Sequence, residues 1–245
     1  MYSFTQKIRF TLQALPYPWE LLGAVRPGLY LLHTRRGVRF WCRGRTNDYQ
    51  EVIISASGTE HPFSLLQKLR PETLVDIGAH IGTVALTLKH LLPACRMVCY
   101  EPYPANVELL SKNLAENGLS GITIIPQGIG LQSLGTRDQF LKAEFGPDSA
   151  QISAQPTSVK AKFVPLSWGL RHFAAIDLVS IDIEGLERPL FKKYAALFRR
   201  KCRYIMTELH CPKDETSVVL QPLIRQNFKI IWQKTDAGSS VFLLA

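Results

Sequence analysis

Four short apolar runs in this chain each end beside a carboxylate. Asp76 lies at the end of Thr73-Leu74-Val75-Asp76-Ile77, and Glu101 follows the run from Arg96 to Tyr100. Asp182 and Glu184 follow Ile176 to Ile181, and Glu208 with His210 ends the run that begins at Arg203. Carboxylates and a histidine placed this way can hold sugar hydroxyls, balance a cation, bind a divalent metal or remove a proton. The first two acids bracket a glycine turn, Gly78-Ala79-His80-Ile81-Gly82. Glycine lets backbone bend tightly and approach a ligand without a Cβ in the way.

Glu101 comes roughly 20 residues after the turn, the offset at which a strand–helix–strand nucleotide site places its ribose-binding acid. The glycine spacing separates two cofactor classes. A dinucleotide fingerprint uses three glycines, G-x-G-x-x-G, to seat a pyrophosphate on a helix N-terminus. Here two glycines stand four apart, with Asp76 two residues ahead of them. S-adenosylmethionine has no phosphate and carries a sulfonium cation, so an acid at the turn suits it better. The bland alternative is an ordinary strand-to-helix turn capped by Asp76, and Glu101 in register weighs against it.

The elements that must position these residues read as alternating strands and helices. Strands are expected at 73–77, 96–101, 121–126, 176–182 and 203–208, and helices at 82–92, 104–117, 186–198 and 214–226. Pro93 ends the first of these helices, Pro104 starts the second, and Asn117-Gly118 stops it. A terminal hairpin is expected from 228–232 and 240–244, turning at Asp236-Ala237-Gly238. This order predicts an α/β fold: a doubly wound, Rossmann-like, seven-stranded sheet in three layers, α/β/α, with an antiparallel C-terminal edge strand. Ligands of such sheets bind beyond the carboxyl ends of the strands, where the acids fall.

Two regions flank this core. Residues 1–70 form a lead-in, with a helix near Phe4 to Leu15, a Pro16-Tyr17-Pro18 loop, a hairpin of 30–33 and 38–41, and a short helix at 62–69. It is expected to act as a cap or substrate-side element, with residues 71–245 forming the main domain. Residues 127–160, rich in Gly, Ser, Gln and Pro, are expected to be a lid or part of a substrate pocket.

The same motifs carry a family resemblance. Val75-Asp76-Ile77-Gly78-Ala79-His80-Ile81-Gly82, Tyr100-Glu101-Pro102-Tyr103-Pro104-Ala105-Asn106, the run from Asp177 to Glu187 and Thr207-Glu208-Leu209-His210 resemble FkbM-type methyltransferases, a branch of the class I S-adenosylmethionine-dependent enzymes. The match runs from about 46 to 210, and Asp48-Tyr49 resembles the family's lead-in. The resemblance implies O-methylation of sugar or natural-product hydroxyls and a cofactor site at Asp76, Gly78, His80, Gly82 and Glu101. Ala79, Thr83, Pro102 and Asp182 join that site by position. The family usually has Asn where this chain has His80, and a Leu-Asp pair where it has Leu166-Ser167. By distant analogy with catechol-type O-methyltransferases, Asp182 and Glu208 stand where a divalent cation such as Mg2+ is held. With His210 as candidate base, these two acids make up the expected catalytic set. Glu187 is expected to cap the following helix instead, because acids favour helix N-termini.

Composition sets the remaining bounds. At 245 residues, 46% hydrophobic and 20% charged, the chain suits a globular fold with a substantial core. No apolar run approaches the roughly 20 residues needed to span a bilayer. Met1 to Gln13 lacks a signal-peptide core, and the five cysteines include no C-x-x-C pair, so a cytoplasmic, reduced setting is expected and zinc is not. The net charge of +9 gathers partly at Arg35, Arg36, Arg39, Arg43 and Arg45, beside Trp41, and again from Lys192 to Arg203. The second group reads as solvated surface. The first raises an RNA methyltransferase as the alternative, but the acids after the fourth core strand would repel phosphate. A third reading is a methyltransferase-fold binding module without catalysis. The expected partner is a small-molecule or glycan acceptor, with nucleic acid disfavoured and a homo-oligomer left open.

Overall fold

The computed structural model describes residues 27–58, 61–131, 139–142, 158–183, 185–235 and 239–245. The expected helix at 4–15, most of the 127–160 insertion, Glu184 and the turn at 236–238 lie outside these residues.

The lead-in begins with an antiparallel hairpin, β1 (Leu29–His33) and β2 (Arg39–Arg43), followed by helices α1 (Asp48–Ser57) and α2 (Phe63–Leu69). The core then runs β3 (Thr73–Ile77), α3 (Thr83–Leu91), β4 (Arg96–Tyr100), α4 (Pro104–Glu116) and β5 (Ile122–Ile125). Short strands β6 (Gly128–Gly130), β7 (Gln139–Lys142), β8 (Ser158–Ala161) and β9 (Phe163–Pro165) pair as β6–β9 and β7–β8, and lead into the one-turn helix α5 (Leu166–Gly169). The second half runs β10 (Ile176–Ile181), α6 (Glu187–Lys201), β11 (Cys202–Leu209), α7 (Thr216–Ile224), β12 (Ile230–Thr235) and β13 (Ser240–Leu244).

Seven strands form one sheet in the order β12-β13-β11-β10-β3-β4-β5. The strands from β11 to β5 are parallel, and β13 pairs antiparallel with both of its neighbours, one place in from the edge that β12 forms. All five residues of β3 are buried, as required of a central strand covered on both faces. On one face, Leu74, Met97, Leu178 and Leu243 pack with α3 and α4 and with Leu32, Phe40, Val52, Phe63 and Leu66 of the lead-in. The lead-in and the sheet therefore share a single apolar cluster. On the other face, Val75, Val98, Val179 and Ile205 meet Phe191 and Phe198 of α6 and Leu220 of α7. Among the described residues, no helix is long and apolar enough to cross a membrane.

Strand order reverses between β3 and β10, so the helices that follow these strands leave toward opposite faces and open a crevice between the strand ends. The two chain segments are very close there. Asp182 N–H donates to the Ile77 carbonyl at 3.0 Å, and a Cβ on Gly78 would lie 1.8 Å from the Asp182 carbonyl oxygen. Gly78 also has φ +88, a conformation that side chains resist. Gly78→Ala should therefore destabilise the fold by about 2–4 kcal/mol, lowering Tm by roughly 5–15 °C at this chain length. Gly118→Ala is the control, because Gly118 has φ +59 but nothing within 4 Å of its would-be Cβ. Thermal unfolding of the two variants side by side checks this, and the Gly118 variant should lose much less.

Candidate active site

A cleft of about 310 Å³ opens over the carboxyl ends of β3, β4, β10 and β11. Asp76, Gly78, Ala79, His80 and Thr83 form its floor from the first strand–turn–helix. Glu101, Pro102 and Tyr103 follow β4, and Asp182 and Glu208 stand at the ends of β10 and β11. Gly82 is the one residue of the expected cofactor set that does not line the cleft. A Cβ there would strike the Leu110 and Leu86 side chains at 2.4 and 2.5 Å, so this glycine serves helix packing and, with φ +93, the entry into α3.

Asp76 is 3% exposed, and its Oδ2 has no hydrogen-bond partner among the described residues. Burial lifts its carboxyl to about 7; Ser180 on the neighbouring strand opposes the shift by hydrogen bonding, and the Glu101 charge adds to it. A buried acid with an unmatched oxygen at the cleft floor fits a cationic ligand, which would supply the missing partner. Glu101 is held differently. Its Oε2 accepts the His80 N–H at 2.8 Å, and its Oε1 accepts the Tyr103 N–H at 2.8 Å and Asn106 Nδ2 at 3.2 Å. Burial pushes its carboxyl up while these three donors push it down. A carboxylate has about four acceptor sites, so Oε2 keeps capacity for one more strong donor such as a hydroxyl.

His80 occupies the left-handed region at φ +50, where Asn and His are enriched among residues other than glycine. Asn and His can share the position because the turn uses the residue's backbone N–H. The imidazole Nε2 lies 3.4 Å from Asp48 Oδ1. Burial lowers this imidazole to about 4 in spite of Asp48, so the ring is neutral near pH 7.

His210 is not among the residues that line the cleft, but it gathers three carboxylates, two of which, Asp182 and Glu208, belong to the cleft wall. Its Nδ1 is 3.8 Å from Asp182 Oδ1 and 3.7 Å from Glu187 Oε1, and its Nε2 is 3.8 Å from Glu208 Oε1. The tertiary structure thus brings together the three residues expected to do the chemistry. Glu187 stands in the first turn of α6 without capping a helical N–H; its Oε1 accepts the Ile183 N–H at 3.1 Å from the loop before the helix.

Several lining residues were not anticipated as site residues. Arg43, Thr46, Asn47, Glu51 and His61 all come from the lead-in. Helix α1 was missed, although Asn47-Asp48 with Glu51 three residues on, before Val52-Ile53-Ile54 and a stop at Gly58, is a helix-start and helix-stop pattern. Asp48 is completely buried and takes both the Arg43 backbone N–H and its guanidinium Nε on Oδ2 at 2.8 Å. Arg39 pairs with Glu116 at 3.1 Å, and Lys112 lies 3.9 Å over the Trp41 ring. The basic stretch beside Trp41 is therefore partly engaged within the protein.

A family model described as the methyltransferase FkbM domain matches residues 76–234. The chain belongs to this family. The methyltransferase sdnD of Sordaria araneosa is 34% identical over 89 residues, which cover 36% of this chain and 32% of that protein. The match thus spans about a third of the length of this curated relative. Among solved structures, Trm5b from Pyrococcus abyssi superposes with a TM-score of 0.53 at 7% identity, over 89% of this chain and 55% of that one. Precorrin-6y C5,15-methyltransferase from Geobacter metallireducens gives 0.48 at 12% identity, over 75% and 86% of the two chains. At these identities the structural likeness concerns the fold alone. FkbM membership supports methyl transfer.

The Asp76 carboxyl gives the expected S-adenosylmethionine site a pH signature. Below about 7 the group is protonated and neutral; above it, the carboxylate is ionised. A cation binds the ionised form, so affinity for S-adenosylmethionine should rise about tenfold between about pH 6 and about pH 8 and level off above that. Asp76→Asn, uncharged throughout, should bind more weakly and lose the rise. Isothermal titrations of both proteins across this range measure the effect.

Proposed function

We propose that this FkbM-family chain is an S-adenosylmethionine-dependent O-methyltransferase acting on a hydroxyl of a small molecule, sugar or natural product. One cleft lined by Asp76, Glu101, Asp182 and Glu208, with His210 within 4 Å of the last two, supports this reading. Bound S-adenosylmethionine supplies an electrophilic methyl group on a sulfonium centre. The chain must then hold an acceptor hydroxyl beside it and take up the proton. His210 is the group for that step, since an imidazole nitrogen can accept a proton and three carboxylates stand within 4 Å of this ring. The imidazolium formed would sit among Asp182, Glu187 and Glu208, whose charges favour it in the way a triad carboxylate does. Asp182 and Glu208 also orient the acceptor through its hydroxyls.

The same cluster suits a divalent cation, because Asp182, Glu208 and His210 can each offer one donor atom within 4.8 Å of the others. Mg2+ prefers oxygen donors and retains water, so it would use Asp182 and Glu208 and leave His210 as the base. Such an ion would acidify the acceptor hydroxyl. Nucleic acid is the weaker match, because the cleft end is acidic and Arg39 and Arg43 are paired to Glu116 and Asp48.

The test is Asp182→Asn, assayed for methyl transfer from labelled S-adenosylmethionine to a panel of hydroxylated acceptors and for cofactor binding by calorimetry. Turnover should fall by at least about 100-fold, far more than any accompanying loss of cofactor affinity. Full activity in the variant would remove Asp182 from the chemistry. Dialysis against EDTA separates the two roles of the acids: activity lost and then restored by Mg2+ assigns them to the ion, and undiminished activity assigns them to the acceptor and His210.

A further inference from the structure

Five polar residues from four parts of the chain close into a ring around the cofactor end of the cleft. Arg43 Nη2 donates to Asp48 Oδ1 at 2.8 Å and to Asn106 Oδ1 at 2.6 Å. Asn106 Nδ2 donates to Glu101 Oε1 at 3.2 Å, and Glu101 Oε2 accepts the His80 N–H at 2.8 Å. The His80 ring returns to Asp48 Oδ1 at 3.4 Å. Arg43 and Asp48 belong to the lead-in, His80 to the glycine turn, Glu101 to the end of β4 and Asn106 to α4. Building on the cofactor reading above, we infer that Arg43, Asp48 and Asn106 are positioning residues for S-adenosylmethionine, holding Glu101 and the His80 turn in binding geometry before the cofactor arrives.

Three physical points carry the inference. Asp48 has no solvent exposure, so its charge must be matched internally; Arg43 does this through a bidentate fork plus its own backbone N–H. One fork nitrogen is shared with Asn106, so moving Arg43 moves the amide that holds Glu101. The ring also contains two carboxylates and one guanidinium, with His80 neutral, and so carries net negative charge beside the place proposed for a cationic ligand. A planar five-donor fork is needed to reach both Asp48 and Asn106, and a lysine ammonium would keep the charge without that geometry. The lead-in thereby acts on the cofactor end of the cleft as well as on the acceptor side.

The experiment measures S-adenosylhomocysteine binding to the full chain by calorimetry for wild type, Arg43→Lys, Asn106→Ala and the double variant. Each single change should weaken binding roughly five- to tenfold, the size of one lost hydrogen bond. Because both act through Glu101, the double variant should be little weaker than the poorer single. Hydrogen exchange in the ligand-free protein should quicken at the His80 and Tyr103 amides in both variants, while melting temperatures stay within a few degrees. If Arg43→Lys fails to fold, Asn106→Ala still decides through its affinity and the two amides. Wild-type binding with unchanged affinities in the variants, or effects that simply multiply, would overturn the inference while sparing the cofactor assignment. A wild-type chain that binds neither S-adenosylmethionine nor its product would overturn both.

Discussion

The cleft depends on the contact between the Gly78 backbone and the backbone of Asp182. These segments end neighbouring strands, β3 and β10, and no side chain fits between them, since a Cβ on Gly78 would fall 1.8 Å from the Asp182 carbonyl oxygen. The closeness fixes how the first strand–turn–helix sits against the second half of the sheet. Asp76 and Asp182 can then serve one cleft although they are far apart in sequence. A wider gap would separate the cofactor end from the acids around His210.

Around this contact, the chain concentrates negative charge where burial makes it expensive. Asp76 and Glu101 are almost fully buried, and burial pushes both carboxyls up. Glu101 is offset by three N–H donors, whereas Asp76 retains an oxygen without a partner among the described residues. The cost of an unmatched buried acid is recovered when a cation enters, which ties ligand affinity to ionisation of this group. Charge beyond β10 and β11 is arranged differently: His210 stands between Asp182, Glu187 and Glu208, each within 4 Å.

The lead-in is tied to the sheet by apolar packing and to the cleft wall by polar contacts. Its apolar residues share a cluster with β3 and α3, and its polar residues reach the cleft through Arg43 and Asp48. Arginines crowded along a sequence resemble a phosphate-binding face, but Arg39 and Arg43 are each bound to a carboxylate within the fold. Total charge in a segment does not report which charges are already matched.

The local pattern alone determined much of this protein. Buried parallel strands read as apolar runs, Pro104 and Asn117-Gly118 bounded α4, and the glycine turn and Glu101 at its offset fall together along one cleft at the strand ends. These features were legible because each rests on a short-range rule of periodicity, capping or turn geometry. Helix α1 carried such a signal as well, in Asn47-Asp48 and Gly58, but lay within a stretch dominated by its arginines. Only the tertiary structure decided that Gly82 packs against Leu110 and does not line the cleft, that β13 lies one place in from the sheet edge, and that Arg43, Asp48 and Asn106 close a ring with Glu101. Those outcomes depend on which distant segments meet. Sequence spacing carries no direct record of that, because β pairing and buried charge matching are settled between residues tens of positions apart.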